Sequence, residues 1–366
     1  MASITRDSSG RWRARYRDND RKQHSKRFDR KVDAQRWLDQ ATTELTTGTW
    51  TDPRRAAHDV AVWAQSWLDS KIGLAETSRL RTQQIIEQHI KPKWAGVELG
   101  RVEHSKVQKW IAELSKSGLS PRSVRKIVGV LSGACAAAIR DRRLAVNPCT
   151  GVSLPRPDPV EKVFLTAEQV EDLAGESGRH GEPIVYTLAY CGLRWGELAG
   201  LRVQDVDPLR KRLNIRQTIV LAGKEFVVKP PKSHEARSVP VPSFLMEMIS
   251  EKIAGRGPDD LVFTSPRGAV LRGRNERRQW FDQAADEIGE PGLTPHGLRH
   301  TAASIAINNG ASVLAVQRML GHSSATVTLD VYADLFDSDL DALGARLDAV
   351  QRNAAESFAS KVRPIA

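Results

Sequence analysis

Apolar and polar positions alternate with a short period near the start of the chain and with a helical period along most of the rest. In Arg11-Trp12-Arg13-Ala14-Arg15-Tyr16-Arg17 the arginines take every second position. A period of two predicts a half-exposed strand, with Trp12, Ala14 and Tyr16 on one face and the arginines on the other. Lys26-Arg27-Phe28 is predicted to belong to the next strand. From Lys31 the period lengthens, and Ala34, Trp37, Leu38, Ala41 and Leu45 share one helical stripe. Thr46–Arg55, with Pro53, reads as a polar linker. Residues 56–146 are predicted all-helical. Val60, Trp63, Ala64, Trp67 and Leu68 form one buried face, and Val107, Trp110, Ile111 and Leu114 a second. Ser120-Pro121 opens a further helix with a cap and proline at its first position, and its stripe is Val124, Ile127, Val128, Leu131 and Cys135.

Asn147–Lys162 carries four prolines and no periodicity, which predicts an extended interdomain linker. Thr166 with Gln169 three residues on is a capping-box signature. A helix through Leu188 and Ala189 then leads to Arg194. Strand-like stretches follow at Leu213–Val220, Lys224–Lys229 and Arg237–Val241. Gly223 sits in the first connecting turn and Lys232 in the second, Pro-Pro-Lys-Ser-His. Helices return after that, and the stripe Val313, Val316, Leu320 ends at Gly321, a helix stop. Leu340, Leu343, Leu347 and Val350 predict one more amphipathic helix. At 366 residues, two or three domains are expected. The pattern divides the chain into a sheet-plus-helix module (1–50), an all-α domain (56–150), a mixed α+β domain (160–350) and a tail (351–366).

Charge narrows the partners. The formal net charge is +11, so an acidic polymer is expected. The excess is uneven, with 14 Lys+Arg against 8 Asp+Glu in residues 1–55. The arginine face of Arg11, Arg13, Arg15 and Arg17 is either solvated or docked in a DNA groove. Arg79, Arg81, Arg122, Arg125 and Lys126 lie off the apolar stripes, where they are solvated or grip phosphates. Three widely spaced cysteines without a CxxC argue against a disulfide framework or a zinc cluster, and Cys135 and Cys191 read as core. With no apolar leader and no run of ~18 apolar residues, the expectation is a cytoplasmic, reduced protein without membrane contact.

The chemistry gathers late in the chain. His296, Arg299 and His300 lie within five residues, Leu320-Gly321-His322 follows, and then Tyr332. Arg194 stands apart in Gly192-Leu193-Arg194-Trp195-Gly196-Glu197-Leu198. Two guanidiniums can each fork onto the non-bridging oxygens of a phosphodiester, and such donors are typically worth ~10²–10³ in rate each. A phenol with an ordinary pKa of about 10 needs nearby cations to become a nucleophile. His296 and His300 are also spaced i, i+4, and with His322 they could hold zinc. Against that, the run lacks the glutamate of the zincin helix, and Arg299 places a cation beside the metal.

Taken together, these motifs resemble the tyrosine recombinases of the phage-integrase type, over nearly the whole chain. Gly-Leu-Arg-x-Gly-Glu-Leu is similar to the family's first arginine box, Lys232 to its β-turn lysine, His296 and Arg299 to its His-x-x-Arg box, His322 to its Leu-Gly-His box, and Tyr332 to its nucleophile. The resemblance implies an N-terminal arm-type DNA-binding domain, a SAM-like helical core-binding domain and a recombinase catalytic domain. It implies that Arg194 and Arg299 bind the phosphate, His296 accepts or relays the Tyr332 proton, His322 donates to a phosphate oxygen and Lys232 protonates the leaving 5′-oxygen. Glu197 and His300 would support these groups. No metal, ATP or other cofactor is implied. The implied partners are double-stranded DNA with core-type and arm-type attachment sites and a homotetramer assembled on it, with a host DNA-bending protein and an excisionase as optional additions. The final helix packs on its own domain or docks on a neighbouring subunit. A chromosome-dimer resolvase, a type IB topoisomerase and a non-catalytic architectural protein are the competing readings; the basic N-terminal module argues against the first two and the complete catalytic set against the third.

Overall fold

The computed structural model describes residues 2–18, 21–47, 50, 52–157, 163–231 and 236–361. Lys232 and the residues after it in its turn (232–235) lie outside the described residues, as do parts of both predicted linkers and the side chains of Leu340 and Leu343. The chain divides into two compact units, Met1–Pro159 and Val160–Ala366.

The first unit opens with an antiparallel sheet in the order β1 (Ser3–Arg6), β2 (Trp12–Arg17), β3 (Gln23–Phe28). Arg13 pairs with Thr5 on one side and Arg27 on the other, while Arg15 pairs with Ser3 and Ser25. Side chains alternate between faces along a strand, so this register sets Arg13, Arg15, Arg17 and Arg27 on one face. Ala14 and Tyr16 are buried against α1 (Lys31–Thr46), through Ala34, Leu38 and Ala41. The segment expected to be a polar linker is partly built into this module. Trp50 packs into the small core and donates its indole N–H to the Tyr16 hydroxyl at 2.8 Å. Asp52 caps α2 (Pro53–Ala56) and meets Lys22 at 2.9 Å. An indole needs both apolar cover and an acceptor, and Tyr16 supplies the second.

Helices follow: α3 (Val60–Asp69), α4 (Glu76–Ile85) with a π-helical continuation (Ile86–Ile90), α5 (Lys91–Trp94), α6 (His104–Lys116) and α7 (Pro121–Arg140). The apolar stripes on α3, α6 and α7 meet in one core that includes Trp94, Trp110 and Leu131, with Trp63 and Trp67 packed at its edge. Ser120 caps α7 through its hydroxyl. Cys135 and Cys149 are buried in this core and Cys191 in the second unit, all as free thiols.

The second unit begins at α8 (Ala167–Glu176), where Thr166 and Gln169 close a reciprocal capping box. Next come α9 (Gly178–Cys191), α10 (Trp195–Ala199), β4 (Val206–Asp207), β5 (Arg212–Ile215), β6 (Thr218–Ala222), β7 (Glu225–Lys229) and β8 (Arg237–Pro240). Then follow α11 (Ser243–Ile253), α12 (Gly273–Glu276), α13 (Asp282–Glu287), α14 (Pro295–Asn308), α15 (Val313–Leu320) and α16 (Ala325–Lys361). The single strand expected over Leu213–Val220 is two strands in different sheets. β5 lies between β4 and β8, and β6 pairs with β7 in a hairpin. The break at Arg216-Gln217 has a cause on each side: Arg216 meets Asp205 at 3.5 Å, and Gln217 donates to the Gly200 carbonyl at 2.7 Å. α16 runs without interruption through the expected start of the tail at residue 351, and Leu347 and Val350 on it are exposed.

Two glycines set the loops that carry the late motifs. Gly192 ends α9 at φ 62° and Gly321 ends α15 at φ 67°, both left-handed. A Cβ on Gly192 would sit 2.6 Å from Leu320 Cδ2 and 3.3 Å from Ala302 Cβ. Gly192→Ala therefore carries left-handed strain of about 1–2 kcal/mol and an overpacking cost of about 1–3 kcal/mol. We expect urea unfolding to show a loss of about 2–4 kcal/mol; a variant within about 0.5 kcal/mol of wild type would contradict this packing account.

Candidate active site

Four segments of the second unit bring the late motifs together. Arg194 is the N-cap of α10, so its side chain leaves the helix start beside Glu197. Its backbone N–H donates to Glu197 Oε2 at 2.9 Å and its Nη1 to Oε1 at 2.8 Å. Its Nη2 reaches the Gly321 carbonyl at 3.4 Å. Glu197 is 1% exposed. Burial pushes its carboxyl up, but the Arg237 fork and then Arg194 outweigh burial and hold it below the usual carboxylate range.

Arg299, one turn into α14, is 2% exposed. It donates Nη1 to the Gly192 carbonyl and Nη2 to the Leu320 carbonyl, both at 2.6 Å. These two bonds tie together the ends of α9 and α15. Burial, and then the Arg194 charge, work against charge on this guanidinium. The two carbonyls offset that cost, and an arginine stays protonated at neutral pH.

Tyr332 sits in the second turn of α16, 2% exposed, among Ala303, Ile307, Val316 and Leu320, with Phe164 beside it. Its hydroxyl lies 2.8 Å from His300 Nδ1. Desolvation raises the phenol to about 12, with the Arg299 charge opposing. The histidine in contact with this hydroxyl is His300, one turn after His296 on α14. His296 lies on the exposed side, its ring 5.2 Å from that of His300 in an edge-to-face arrangement. Partial desolvation, then the Arg299 and Arg194 charges, lower its pKa. His322 follows Gly321, and its Nδ1 is 3.0 Å from the buried Thr328 hydroxyl. Desolvation first, then Arg299, Arg194, Arg237 and His300, bring it down to about 4. It is therefore neutral at pH 7. A Thr328 hydroxyl donating to Nδ1 leaves Nε2–H as a donor. With His300 engaged by Tyr332 and His322 by Thr328, the three rings make no metal cluster, and none occurs among the described residues.

Arg237 and Thr328 belong to this arrangement and were not singled out by the motifs. Arg237 forks onto both Glu197 oxygens, at 3.0 and 2.6 Å. Neither residue has a periodicity or a spacing that marks it, because each acts through a neighbour distant in sequence.

The basic residues proposed for DNA separate into groups. In the first unit Arg81, Arg122 and Lys126 line one notch of about 190 Å³ with Gln84, Gln88 and Ser123, at the N-terminus of α7. Arg79 is committed elsewhere: it donates to the Leu68 and Lys71 carbonyls and so closes the end of α3. Arg125 is exposed and holds the Pro155 carbonyl at 3.0 Å. On the sheet, Arg11 pairs with Asp29 and Arg13 lies 3.9 Å from Asp7, while Arg15 is half-buried and Arg17 exposed.

Residues 163–339 match the Phage integrase family, and residues 2–47 match its N-terminal domain, described as Phage integrase, N-terminal domain. The two matches together span more than half of the chain, and the chain belongs to the phage integrase family of tyrosine recombinases. The integrase of Mycobacterium phage L5 is 27% identical over 345 residues, covering 89% of this chain and 92% of the relative. Among solved structures, the fold is shared with the Tn1549 transposon integrase in complex with a circular intermediate DNA, at TM-score 0.69 and 20% identity over 77% of this chain and 99% of that one. It is shared too with a lambda integrase tetramer bound to a Holliday junction, at TM-score 0.60 and 18% identity over 88% and 96%.

The histidine environment has a measurable consequence. An unfolded imidazole titrates near 6.5, whereas His322 titrates near 4 when folded. Between those values the unfolded chain binds a proton that the folded chain does not, so stability falls as pH drops through that window. His296, also lowered, acts in the same direction. Thermal melts at pH 7.5 and 5 should show a lower Tm at pH 5, with a smaller drop in His322→Gln; equal drops would rule out this role for His322.

Proposed function

We propose that the protein is a site-specific integrase that cuts and rejoins DNA through a 3′-phosphotyrosine on Tyr332. The observation that carries this reading is the Tyr332 hydroxyl at 2.8 Å from His300 Nδ1, near Arg194, which donates to the Gly321 carbonyl, and Arg299, which donates to the Gly192 and Leu320 carbonyls. In the reaction, the Tyr332 oxygen forms a bond to phosphorus while the bond to the 5′-oxygen breaks. The phenol proton passes to His300, with His296 next to it as the exit to solvent. Arg194, whose side chain is 28% exposed, turns donors onto the non-bridging oxygens. Arg299 adds its charge from behind, and His322 Nε2–H donates to the same phosphate. Lys232 protonates the leaving 5′-oxygen. The phosphotyrosyl bond conserves the energy of the broken ester, so a new 5′-hydroxyl reverses the step without ATP, metal or cofactor.

Tyr332 is buried in the chain as it stands, so DNA and a neighbouring subunit must draw the start of α16 outward before attack. Four such subunits on paired core sites, exchanging strands through a Holliday junction, fit this requirement. The exposed Leu347 and Val350 are the surface α16 would offer to that neighbour. The cationic notch of Arg81, Arg122 and Lys126 takes a backbone phosphate of the core site at a helix N-terminus. The face of Arg13, Arg15, Arg17 and Arg27 takes the arm sites. A host DNA-bending protein and an excisionase would act on the same assembly, which places the protein on bacterial host DNA.

A pool of nicked duplexes with randomised flanks provides a substrate. Wild type should form an SDS-stable adduct with a selected duplex, mapped to the Tyr332 peptide, and Tyr332→Phe should bind that duplex without forming it. An adduct in Tyr332→Phe, or none with wild type, would end the reading. Arg122→Ala should weaken binding of the same duplex and lower the slope of log K against log salt by about one. A slope equal to wild type would take Arg122 off the phosphate.

A further inference from the structure

We propose that Arg237 is a positioning residue for the phosphate-binding groups, an inference that rests on the function proposed for Arg194 and His322. Arg237 opens β8 and its side chain is 9% exposed. Three of its donors are committed to two different helices, α10 and α15. Nη1 and Nη2 fork onto Glu197 Oε1 and Oε2 at 3.0 and 2.6 Å, and Nε donates to the Met319 carbonyl at 2.9 Å. Glu197 Oε1 is shared with Arg194 Nη1 at 2.8 Å. Orientation therefore passes from Arg237 through Glu197 to Arg194.

The Met319 contact holds the last turn of α15, from which the Gly321-His322 loop leaves. Leu320, next in the chain, gives its carbonyl to Arg299, Gly321 gives its carbonyl to Arg194, and His322 follows. One guanidinium thus fixes the spacing between the arginine that would hold the phosphate and the histidine that would donate to it. The site is built around this side chain. A Cβ on Gly321 would lie 2.9 Å from Arg237 Cδ and 3.1 Å from both Nε and Nη1, so glycine there leaves the corridor that the arginine fills. β8 itself is held in place by its pairing with β5, where Ile215 faces Arg237. A lysine keeps the charge but offers a single ammonium in place of a planar fork, so it cannot meet Glu197 and Met319 in this geometry.

The test uses the full chain and the nicked duplex recovered by covalent trapping. Arg237→Lys should slow single-turnover adduct formation by about 10²-fold, as loss of a preorganised donor does, while the Kd for the duplex stays within about threefold. Because Arg237 acts through Arg194, the losses should not multiply: Arg194→Lys/Arg237→Lys should be within about threefold of Arg194→Lys alone. Gly321→Ala, which displaces the guanidinium and leaves its charge, should reproduce the rate loss and carries the test if Arg237→Lys fails to fold. Wild-type rates in both single variants, equal losses in rate and affinity, or multiplicative losses in the double variant would each overturn the inference. Absence of any adduct with wild type would instead count against the proposed function.

Discussion

A carboxylate buried between two guanidiniums is the constraint on which the rest of the site depends. Glu197 is 1% exposed, and a charge so placed costs several kcal/mol unless paired and fully hydrogen-bonded. Here both oxygens accept from Arg237, one also accepts from Arg194, and the other from the Arg194 backbone N–H. Removing one partner of such a pair typically costs about 3–5 kcal/mol, because the remaining charge is stranded. The carboxylate therefore makes the positions of α10 and β8 interdependent, and through the Met319 carbonyl that dependence reaches the end of α15.

Tyr332 sits under an opposing constraint. Burial that packs Tyr332 against Ile307, Val316 and Leu320 also raises its phenol to about 12. Ionising it at pH 7 would then cost roughly 7 kcal/mol, at 1.36 kcal/mol per unit. The resting chain holds the phenol protonated and covered. In the proposed reaction, packing and reactivity compete for this one side chain, and a change around the start of α16 tips the balance towards attack.

Much of the local structure was legible in the sequence because it follows from short-range rules. The arginine alternation became β2, the stripe from Ala34 to Ala41 became the inner face of α1, and Thr166 with Gln169 became a capping box. The motif residues Arg194, Arg299, His300, His322 and Tyr332 are gathered in one region of the second unit. Long-range pairing was not legible. Nothing local separates Leu213–Val220 into two sheets; the split depends on Asp205 and the Gly200 carbonyl, and these are neighbours only after folding. The contact between the Tyr332 hydroxyl and His300 was not legible either, for the same reason. His296 and His300 share a face of α14, and the position of α16 decides which of them meets the hydroxyl. The position of Arg79 off the stripe left solvent or phosphate as its expected surroundings, and its bonds to the open carbonyls at the end of α3 were not legible.

The two arginines of the site differ in a way that bears on how charge is stored there. Arg299 spends both terminal nitrogens on carbonyls at the C-terminal ends of α9 and α15, where the helix dipoles are negative. Those ends stabilise a buried cation that solvent does not reach. Arg194 lies at the start of α10, where the dipole is positive, and Glu197 compensates for that repulsion. Helix ends and one carboxylate thus hold two like charges near each other before any phosphate arrives. In the proposed reaction, a phosphodiester entering beside them replaces part of that compensation with its own charge, and the gain is larger as the oxygens become more negative. That difference between ground state and transition state is what accelerates a reaction, and it follows from the placement of Glu197 as much as from the arginines themselves.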